Sequence, residues 1–387
     1  MQRGLTGYYE SIRVGGEVIR AFVPNPLPPE PPLQMEVLEQ PLERAALAIG
    51  RLDSVALLLP DPTIFLYAYV RREAVLSSQI EGTQSSLADL LLFELEQAPG
   101  APFEDVIEVS CYVAALEHGM QRLREGMPLS NRLLREMHAI LLSRGHGAEK
   151  QPGEFRYTQN WIGGTRPGNA HFVPPPPHRV MECMASLERF LHDELVPALI
   201  KAGLAHAQFE TIHPFLDGNG RIGRLLIAFI LHHEGALQRP LLYLSLFFKQ
   251  HRREYYQMLD TTRFEGDWEA WLRFFLEGVE STAQNAVLTA KRLVDLFQSD
   301  MERLLTLGRA TSSAQRVLDA FKERPLLTPK QVVLRTDLSA PTVNQILDKL
   351  ADIGIVAEIT GKQRNRVFAY SEYLRILSEG TEPLRSE

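Results

Sequence analysis

The sequence predicts a mainly α-helical protein with one β-hairpin insertion and a small α+β module at its C-terminal end. Three observations carry this. Apolar residues recur at helical spacing through most of residues 35–301. That pattern breaks once, between Gln151 and Pro177, where two short apolar runs flank a Gly/Pro-rich turn. From Arg309 onward, three short helical patterns precede two strand-like runs, the element order of a winged helix.

In chain order, the first ~35 residues read as irregular, because Pro24, Pro26, Pro28, Pro29, Pro31 and Pro32 forbid a helix and favour extended chain. Thr63 to Glu81 reads as one long helix with Phe65, Ala68, Tyr69, Val75 and Ile80 among its apolar positions, closed by Gly82. Asp105–Arg124 and Leu129–Arg144 follow as amphipathic helices. The hairpin then joins Asn160-Trp161-Ile162-Gly163-Gly164 to Ala170-His171-Phe172-Val173, and Pro174–Pro177 stop its second strand. Helices resume over Met181–Leu195, Gly203–His213, Arg221–His233 and Trp268–Leu296. The tail offers helices at Ser313–Lys322, Pro329–Arg335 and Pro341–Ile353. Strands at Ile355–Ile359 and Val367–Tyr370 follow, about a Gly361-Lys362-Gln363-Arg364 turn.

Composition narrows the class. A chain of 387 residues suggests roughly two to three domains. With 45% hydrophobic and 23% charged residues it is ordinary globular material. Two cysteines, Cys111 and Cys183, exclude a disulfide scaffold and a multi-Cys zinc site, and they fit a reducing compartment. A net charge of −7 argues against a general nucleic-acid binder. The longest apolar run, Leu225–Leu231, is far short of a bilayer span, and the N-terminus lacks the apolar core of a signal peptide. The expectation is a cytoplasmic protein without a membrane segment.

Chemistry concentrates in residues 206–231. Pro214 ends the first helix near His213, and Gly218, Asn219 and Gly220 permit a tight turn into a second apolar helix from Arg221. A glycine loop feeding a helix N-terminus offers unpaired amides to an anion. Arg221 and Arg224 lie in the first turns of that helix, where cations oppose the macrodipole and need a negative ligand. Asp217 is placed to hold Mg²⁺ against phosphates. His213, with an ordinary imidazole value of about 6.5, suits proton abstraction near neutral pH.

Rival readings fit worse. Gly218-x-Gly220-x-x-Gly223 matches the dinucleotide string but follows a helix and a proline, with no acidic residue at the required distance. Arg224-Leu225 replace the Lys-Ser/Thr of a Walker loop. Arg221 and Ala228 occupy ligand positions of an EF-hand. A plain Asp-Gly-Asn-Gly turn explains the glycines but not the histidine, aspartate and two arginines around them.

The string His213-Pro214-Phe215-Leu216-Asp217-Gly218-Asn219-Gly220-Arg221-Ile222-Gly223-Arg224 resembles the Fic-domain signature H-P-F-x-[D/E]-G-N-G-R-x-x-R, with every fixed position filled. Ser77-Ser78-Gln79-Ile80-Glu81-Gly82 resembles the family's inhibitory motif [S/T]-x-x-x-E-[G/N], upstream of the signature as in the class with an N-terminal inhibitory helix. The resemblance implies a Fic helical-bundle core with a β-hairpin flap. It divides the chain into an N-terminal region with the inhibitory helix (1–100), a catalytic domain (101–300, flap at 151–177) and a winged helix (305–378). It also implies AMP transfer from ATP to a Ser, Thr or Tyr hydroxyl of a protein, this one included. Carried over by position, His213 is the base and Asp217 holds Mg²⁺. Gly218, Asn219 and Gly220 form the anion hole, with Asn219 near the α-phosphate. Ile222 and Gly223 belong to the nucleotide loop, and Arg221 and Arg224 neutralise the outer phosphates. Ser77, Glu81 and Gly82 form the brake, in which Glu81 occupies Arg224. Ile162, Gly163 and Gly164 align a target peptide by strand addition, and Tyr256 lines the adenine pocket. Removal of AMP through the same site is the competing activity.

Other residues carry less. His206, one heptad before His213, reads as a packed helix residue, and His232 and His233 sit near a helix C-terminus with no chemistry. Trp161 fits either the hairpin core or an exposed edge. The tail from Arg309 has 12 Lys/Arg against 10 Asp/Glu, a modest basic excess. Ser339-Ala340-Pro341-Thr342-Val343-Asn344-Gln345 would open a recognition helix, with Lys362, Arg364 and Arg366 on a wing. Asp348 and Asp352 on the same helix argue against groove insertion, so protein docking or homodimerisation ranks above DNA binding for 305–378. A DNA-binding regulator with a nucleotide-sensing Fic domain is the alternative of a different class.

Overall fold

The computed structural model describes residues 1–58, 62–96, 100–362 and 364–383, with side chains for all of these except 56–58, 62, 63 and 65. Phe65 as an apolar position and Gln363 in the wing turn therefore lie outside the described residues.

The chain opens with a finding that corrects the irregular start. Strands β1 (Gly7–Val14) and β2 (Glu17–Pro24) form an antiparallel hairpin in register Gly7↔Pro24 to Val14↔Glu17. Gly15 and Gly16 close it, both at positive φ (56° and 87°), as a two-residue hairpin turn requires. The proline-rich stretch begins only at the end of β2, so its breaker signal does not reach the alternating residues before it. Phe22 is fully buried and packs against Phe172 (ring centroids 5.9 Å apart) and Phe264 (6.5 Å).

Helices follow, and most run close to the expected bounds. Helix α1 (Glu39–Leu58) leads to α2 (Pro62–Ile80), which carries Ala68, Tyr69, Val75 and Ile80 into the core. A Ser86–Asp89 capping box starts α3 (Leu87–Glu94). Helices α4 (Phe103–Arg124), α5 (Asn131–Leu141) and α6 (Pro177–Leu191) come next. The central pair is α7 (Ala198–Ile212) and α8 (Asn219–His233). Every residue of α7 from Leu199 to Ile212 is buried, so this helix is covered on all sides and forms the axis of the bundle. Close packing of the pair relies on Gly223, where a Cβ would collide with the Glu210 carboxylate and approach Phe209. Helices α9 (Ser245–Gln250), α10 (Arg252–Phe264) and the long α11 (Trp268–Leu304) complete the bundle, with α1 lying along α11.

Between α5 and α6 the expected flap hairpin is reduced to one bridge, Ile162↔Phe172. Pro167–Asn169 form a turn of 3₁₀ helix, and the prolines from Pro174 leave no room for a ladder. Phe172 is its buried anchor, whereas Trp161 is exposed. Beneath it lies the N-terminal hairpin: the Phe22 amide donates to the Val173 carbonyl at 2.8 Å.

The tail contains α12 (Thr311–Glu323), β3 (Leu326–Leu327), α13 (Pro329–Thr336), α14 (Ala340–Asp352), β4 (Ala357–Glu358), β5 (Phe368–Ala369) and α15 (Ser371–Ser378). The strands form one antiparallel sheet in the order β3-β5-β4. Ser339 caps α14 and a Thr328–Gln331 box caps α13. The module is moored to the long helix by Tyr370, whose hydroxyl donates to Asp300 at 2.6 Å. Among the described residues no helix is long and apolar enough to cross a membrane.

Candidate active site

The site forms where α7 hands over to α8. His213 ends α7 in the left-handed region (φ 49°, ψ 60°) rather than in the extended region its proline neighbour favours. The reversal is held by its own side chains. Asn219 Oδ1 accepts from the Phe215 amide at 2.8 Å, and its Nδ2 donates to the Phe215 carbonyl at 2.9 Å. The Asn219 side chain is thus committed to shaping the loop, and what it can offer an anion is its backbone amide. Phe215 stacks on His138 at 3.7 Å. His138 accepts from the Gly153 amide at Nδ1 (2.8 Å), leaving Nε2–H to donate to the Asp217 carbonyl (3.0 Å). Burial pushes this imidazole down to about 4, so it stays neutral. Gly218, at φ 74°, starts α8, whose first-turn amides have no intrahelical acceptor.

Around that helix end the charges are paired. Arg224 donates to the Ser77 hydroxyl (2.9 Å), the Ser77 carbonyl (2.9 Å) and Glu81 Oε1 (2.7 Å). Burial works against the Glu81 charge, but Arg224, and after it Arg221, hold its carboxyl below the ordinary range. Arg221 is buried against Glu108 at 3.1 Å, with Asp217 at 3.7 Å. Glu73, one turn before Ser77 on the same face of α2, accepts from Tyr112 (3.1 Å) and Ser245. Burial pushes its carboxyl up to about 7, against the pull of Ser245 and Arg224.

His213 itself differs from the ordinary imidazole expected. Burial, then the positive charges of Arg156 and Arg263, push it down to about 3, so it stands neutral. Its Nδ1 has no hydrogen-bond partner and faces Glu210 Oε2 at 4.0 Å. Glu210 is buried with Oε1 also unpartnered, and burial pushes its carboxyl up to about 7. Arg156 ties the flap to this turn, donating to the carbonyls of His213 (2.9 Å) and Pro175 (2.6 Å). Asn160 adds a bond to the Phe215 carbonyl at 2.9 Å.

The structure brings His213, Asp217, Gly218–Arg224, Ser77 and Glu81 to one end of the α7–α8 pair. The Ile222 side chain is fully buried in the hydrophobic core, and Gly223 faces Glu210 and Phe209, so any contact these two make with an anion would come from backbone rather than side chain. Tyr256 stands half-exposed under the Arg252 guanidinium (5.3 Å), next to Tyr255 (5.1 Å). Tyr255 is buried and bonds His206 Nε2 at 2.8 Å, which accounts for His206 as a packed residue. Gly163 and Gly164 are exposed and Ile162 half-buried at the flap edge. Sequence reasoning left Glu210, Glu108, Glu73, Arg156, Arg263 and His138 unassigned. Only Arg156, close to Gly153 in the stretch that breaks the helical pattern, carries a local signal.

The implied Mg²⁺ can be tested against the residues present. Among the described residues no cluster of three potential ligands exists. The Asp217 carboxylate is 42% exposed at the loop mouth. One carboxylate beside an anion site suits Mg²⁺, which takes one or two protein carboxylates and completes its shell with phosphate and water. The donor set fits.

A left-handed histidine, a self-bonded Asn219 loop and a helix end carrying two buried arginines coincide with a family match. The sequence profile of the Fic/DOC family matches residues 128–231, and that of the Fic/DOC family N-terminal region matches residues 40–121. Residues 40–121 and 128–231 are a Fic/DOC N-terminal region followed by a Fic/DOC domain. It is similar to the protein adenylyltransferase Fic of Drosophila ananassae, 31% identical over 208 residues, which is 52% of this chain and 39% of that protein. The protein adenylyltransferase Fic of Culex quinquefasciatus is 36% identical over 152 residues, 38% of this chain and 27% of that one. The matched Fic region therefore spans well under half of these relatives. The fold is shared with a solved Fic family protein from Desulfovibrio desulfuricans G20 (TM-score 0.57, 19% identity, covering 90% of this chain and 98% of that one). It is also shared with Fic-1 of C. elegans (TM-score 0.53, 24% identity, covering 66% and 74%). The Fic profile ends at Leu231, in the last turn of α8, so the paired charges just described fall inside the two matched regions.

Proposed function

We propose that the chain is a protein adenylyltransferase, moving AMP from ATP to a Ser, Thr or Tyr hydroxyl of a protein, with Glu81 as its brake. The observation that carries the reading is the neutral, partly open His213 beside a helix N-terminus whose Arg224 is held by Glu81.

In this reading the phosphates of ATP lie on the first-turn amides of α8, from Gly218 to Gly220. Asp217 would hold the Mg²⁺ that offsets charge on the phosphates. The target hydroxyl gives its proton to His213 Nε2 as its oxygen bonds the α-phosphorus. The bond from that phosphorus to the β-phosphate bridge breaks, and diphosphate leaves with the electron pair. A neutral imidazole can accept that proton. Nδ1 must then carry a proton, and Glu210 is placed to receive its hydrogen bond. Arg224 serves the outer phosphates only when Glu81 lets go. Gly163 and Gly164, bare of side chains at the flap edge, leave backbone for a target strand, and Tyr256 borders the base.

The DNA-binding reading of the tail loses support. Arg366 donates to Asn344 (2.8 Å) and approaches Asp348 (3.3 Å), so a wing cation is spent on the would-be recognition helix. A role in protein contact or regulation suits the module better.

The test is incubation of lysate with Mg²⁺ and ATP labelled at the α-phosphate, using wild type, Glu81→Gly and Glu81→Gly/His213→Ala. Label on protein in the second and its loss in the third supports the reading. Label in none, with ATP binding intact, overturns it.

A further inference from the structure

The face of α2 turned away from Arg224 is bound by the C-terminal end of the chain. Gln79, two residues from both Ser77 and Glu81, is buried with its amide fully used. Nε2 donates to the carbonyls of Thr381 (2.8 Å) and Ser85 (2.9 Å), and Oε1 accepts from Lys249 Nζ at 2.7 Å. The Lys249 ammonium, buried on α9, also donates to the carbonyls of Gly380 (3.0 Å) and Glu382. About two turns earlier on α2, Arg72 donates to the Glu379 carbonyl at 2.8 Å. Higher still, Arg324 of the tail module donates to the Tyr67 hydroxyl at 2.8 Å, with its guanidinium 4.0 Å over that ring. Residues 379–382 thus form a strap across α2, joined to the tail module through α15.

The strap is built for this seat. Gly380 holds φ 80°, and a Cβ there would stand 2.8 Å from Leu246 of α9. Thr381 is buried and folds back on Ser378, its amide at 2.9 Å and its hydroxyl at 2.8 Å from the carbonyl. Arg292 grips the Glu379 carboxylate at 2.6 and 2.7 Å. Lifting the strap would strip Lys249 of two carbonyl acceptors and leave a buried ammonium on Gln79 alone. A buried charge that loses partners destabilises its surroundings strongly.

We infer that residues 379–382 are a latch on the inhibitory helix: docked, they seat the last turn of α2 and keep Glu81 on Arg224; lifted, they release it. This rests on the reading of Glu81 as a brake, and it gives the tail module a task, since anything that moves α15 moves the latch. The tail is then a receiver for whatever relieves inhibition.

The experiment uses the full chain and two readouts. Gly380→Val sets a side chain against Leu246 and touches no inhibitory residue. It is expected to speed amide exchange over residues 72–83 by roughly 30- to 100-fold, as loss of two or three hydrogen bonds predicts. Label transfer is expected to rise by a similar factor with Glu81 present and not at all on top of Glu81→Gly. Lys249→Met removes the donors from the other side and is expected to act in the same direction. In wild type, exchange in rising urea is expected to open 72–83 and 379–383 as one unit. Exchange that opens 379–383 while 72–83 stays protected overturns the latch, in wild type or in either variant. Coupled opening without label transfer, even in Glu81→Gly, supports the latch and overturns the adenylyltransferase reading instead.

Discussion

Gly220 leaves the space that Glu81 fills. A Cβ on residue 220 would run into Glu81 Oε1 and stand 3.0 Å from Arg224 Nη1. The end of α2 and the first turn of α8 therefore meet over bare backbone, where the phosphates would also have to lie. Glu81→Gln keeps the length of the side chain and removes its charge, so Arg224 loses its ion pair and keeps at most a neutral hydrogen bond beside the two Ser77 contacts. AMP transfer is expected to rise about 10- to 100-fold, the scale on which misplacement of a reacting group costs rate. Label incorporation checks it alongside ATP affinity. If a folded, ATP-binding Glu81→Gln does not exceed wild type, Glu81 is not the brake.

Asp217 holds its carboxylate at the loop mouth, and its second task is local, since Oδ1 accepts from the Gly218 amide at 2.6 Å. In Asp217→Asn that local bond persists while the charge is gone. Titration calorimetry of ATP with and without Mg²⁺ is expected to show a ratio of affinities falling to about one. A ratio like that of wild type places the metal elsewhere.

The buried Glu210 and the partly open His213 face each other, with Oε1 of the one and Nδ1 of the other unpartnered. Glu210→Gln replaces an acceptor-only carboxylate by an amide that can donate as well as accept, so the proton is no longer held on Nδ1. The expected result is a kcat lower by roughly 10- to 100-fold, within the span of a general base, with KM for ATP little changed. Nitrogen NMR of the imidazole is expected to report a mixed tautomer in the variant and Nδ1–H in wild type. An unchanged tautomer removes Glu210 from this role.

Glu73 makes the seating of α2 pH-dependent. Its folded value, raised to about 7 by burial, lies above its unfolded value, so its contribution to stability is full at low pH. That contribution falls as pH rises from the unfolded value through the folded one. Glu73→Gln is neutral throughout and escapes the loss. Relative to wild type it is expected to gain up to about 3 kcal/mol between pH 4 and pH 8, since each pH unit between the two values costs wild type about 1.4 kcal/mol. Urea unfolding at the two pH values measures it, and a difference independent of pH refutes it.

What sequence could and could not convey follows from range. The turn at His213–Gly220 is written in adjacent residues, with Pro214 and Gly218 as breakers, so its place between two helices is readable. Ser77 and Glu81 are readable as a motif. The β1–β2 hairpin is hidden, because the prolines after Val23 draw the whole start into one irregular segment and outweigh the turn signal of Gly15-Gly16. In the flap the apolar runs are real, but only Ile162 and Phe172 pair, since the chain between them winds into a 3₁₀ turn. Glu210, Glu108 and Glu73 sit in ordinary helical positions, and only packing turns them towards His213, Arg221 and Tyr112. Thr381 and Gln79 are 302 residues apart, beyond any local pattern.

The full burial of α7 has a consequence for how such a protein can change over generations. A helix with a wet face has positions that tolerate substitution, but α7 from Leu199 to Ile212 has none. A new side chain there displaces a neighbour in α8, α6 or α11, and the displacement arrives at His213. Adaptation to new targets or signals is therefore channelled outward, to the flap edge, the exposed turns and the tail, where residues can vary without disturbing the reacting groups. The chemistry is inherited as a block, and diversity accumulates around it.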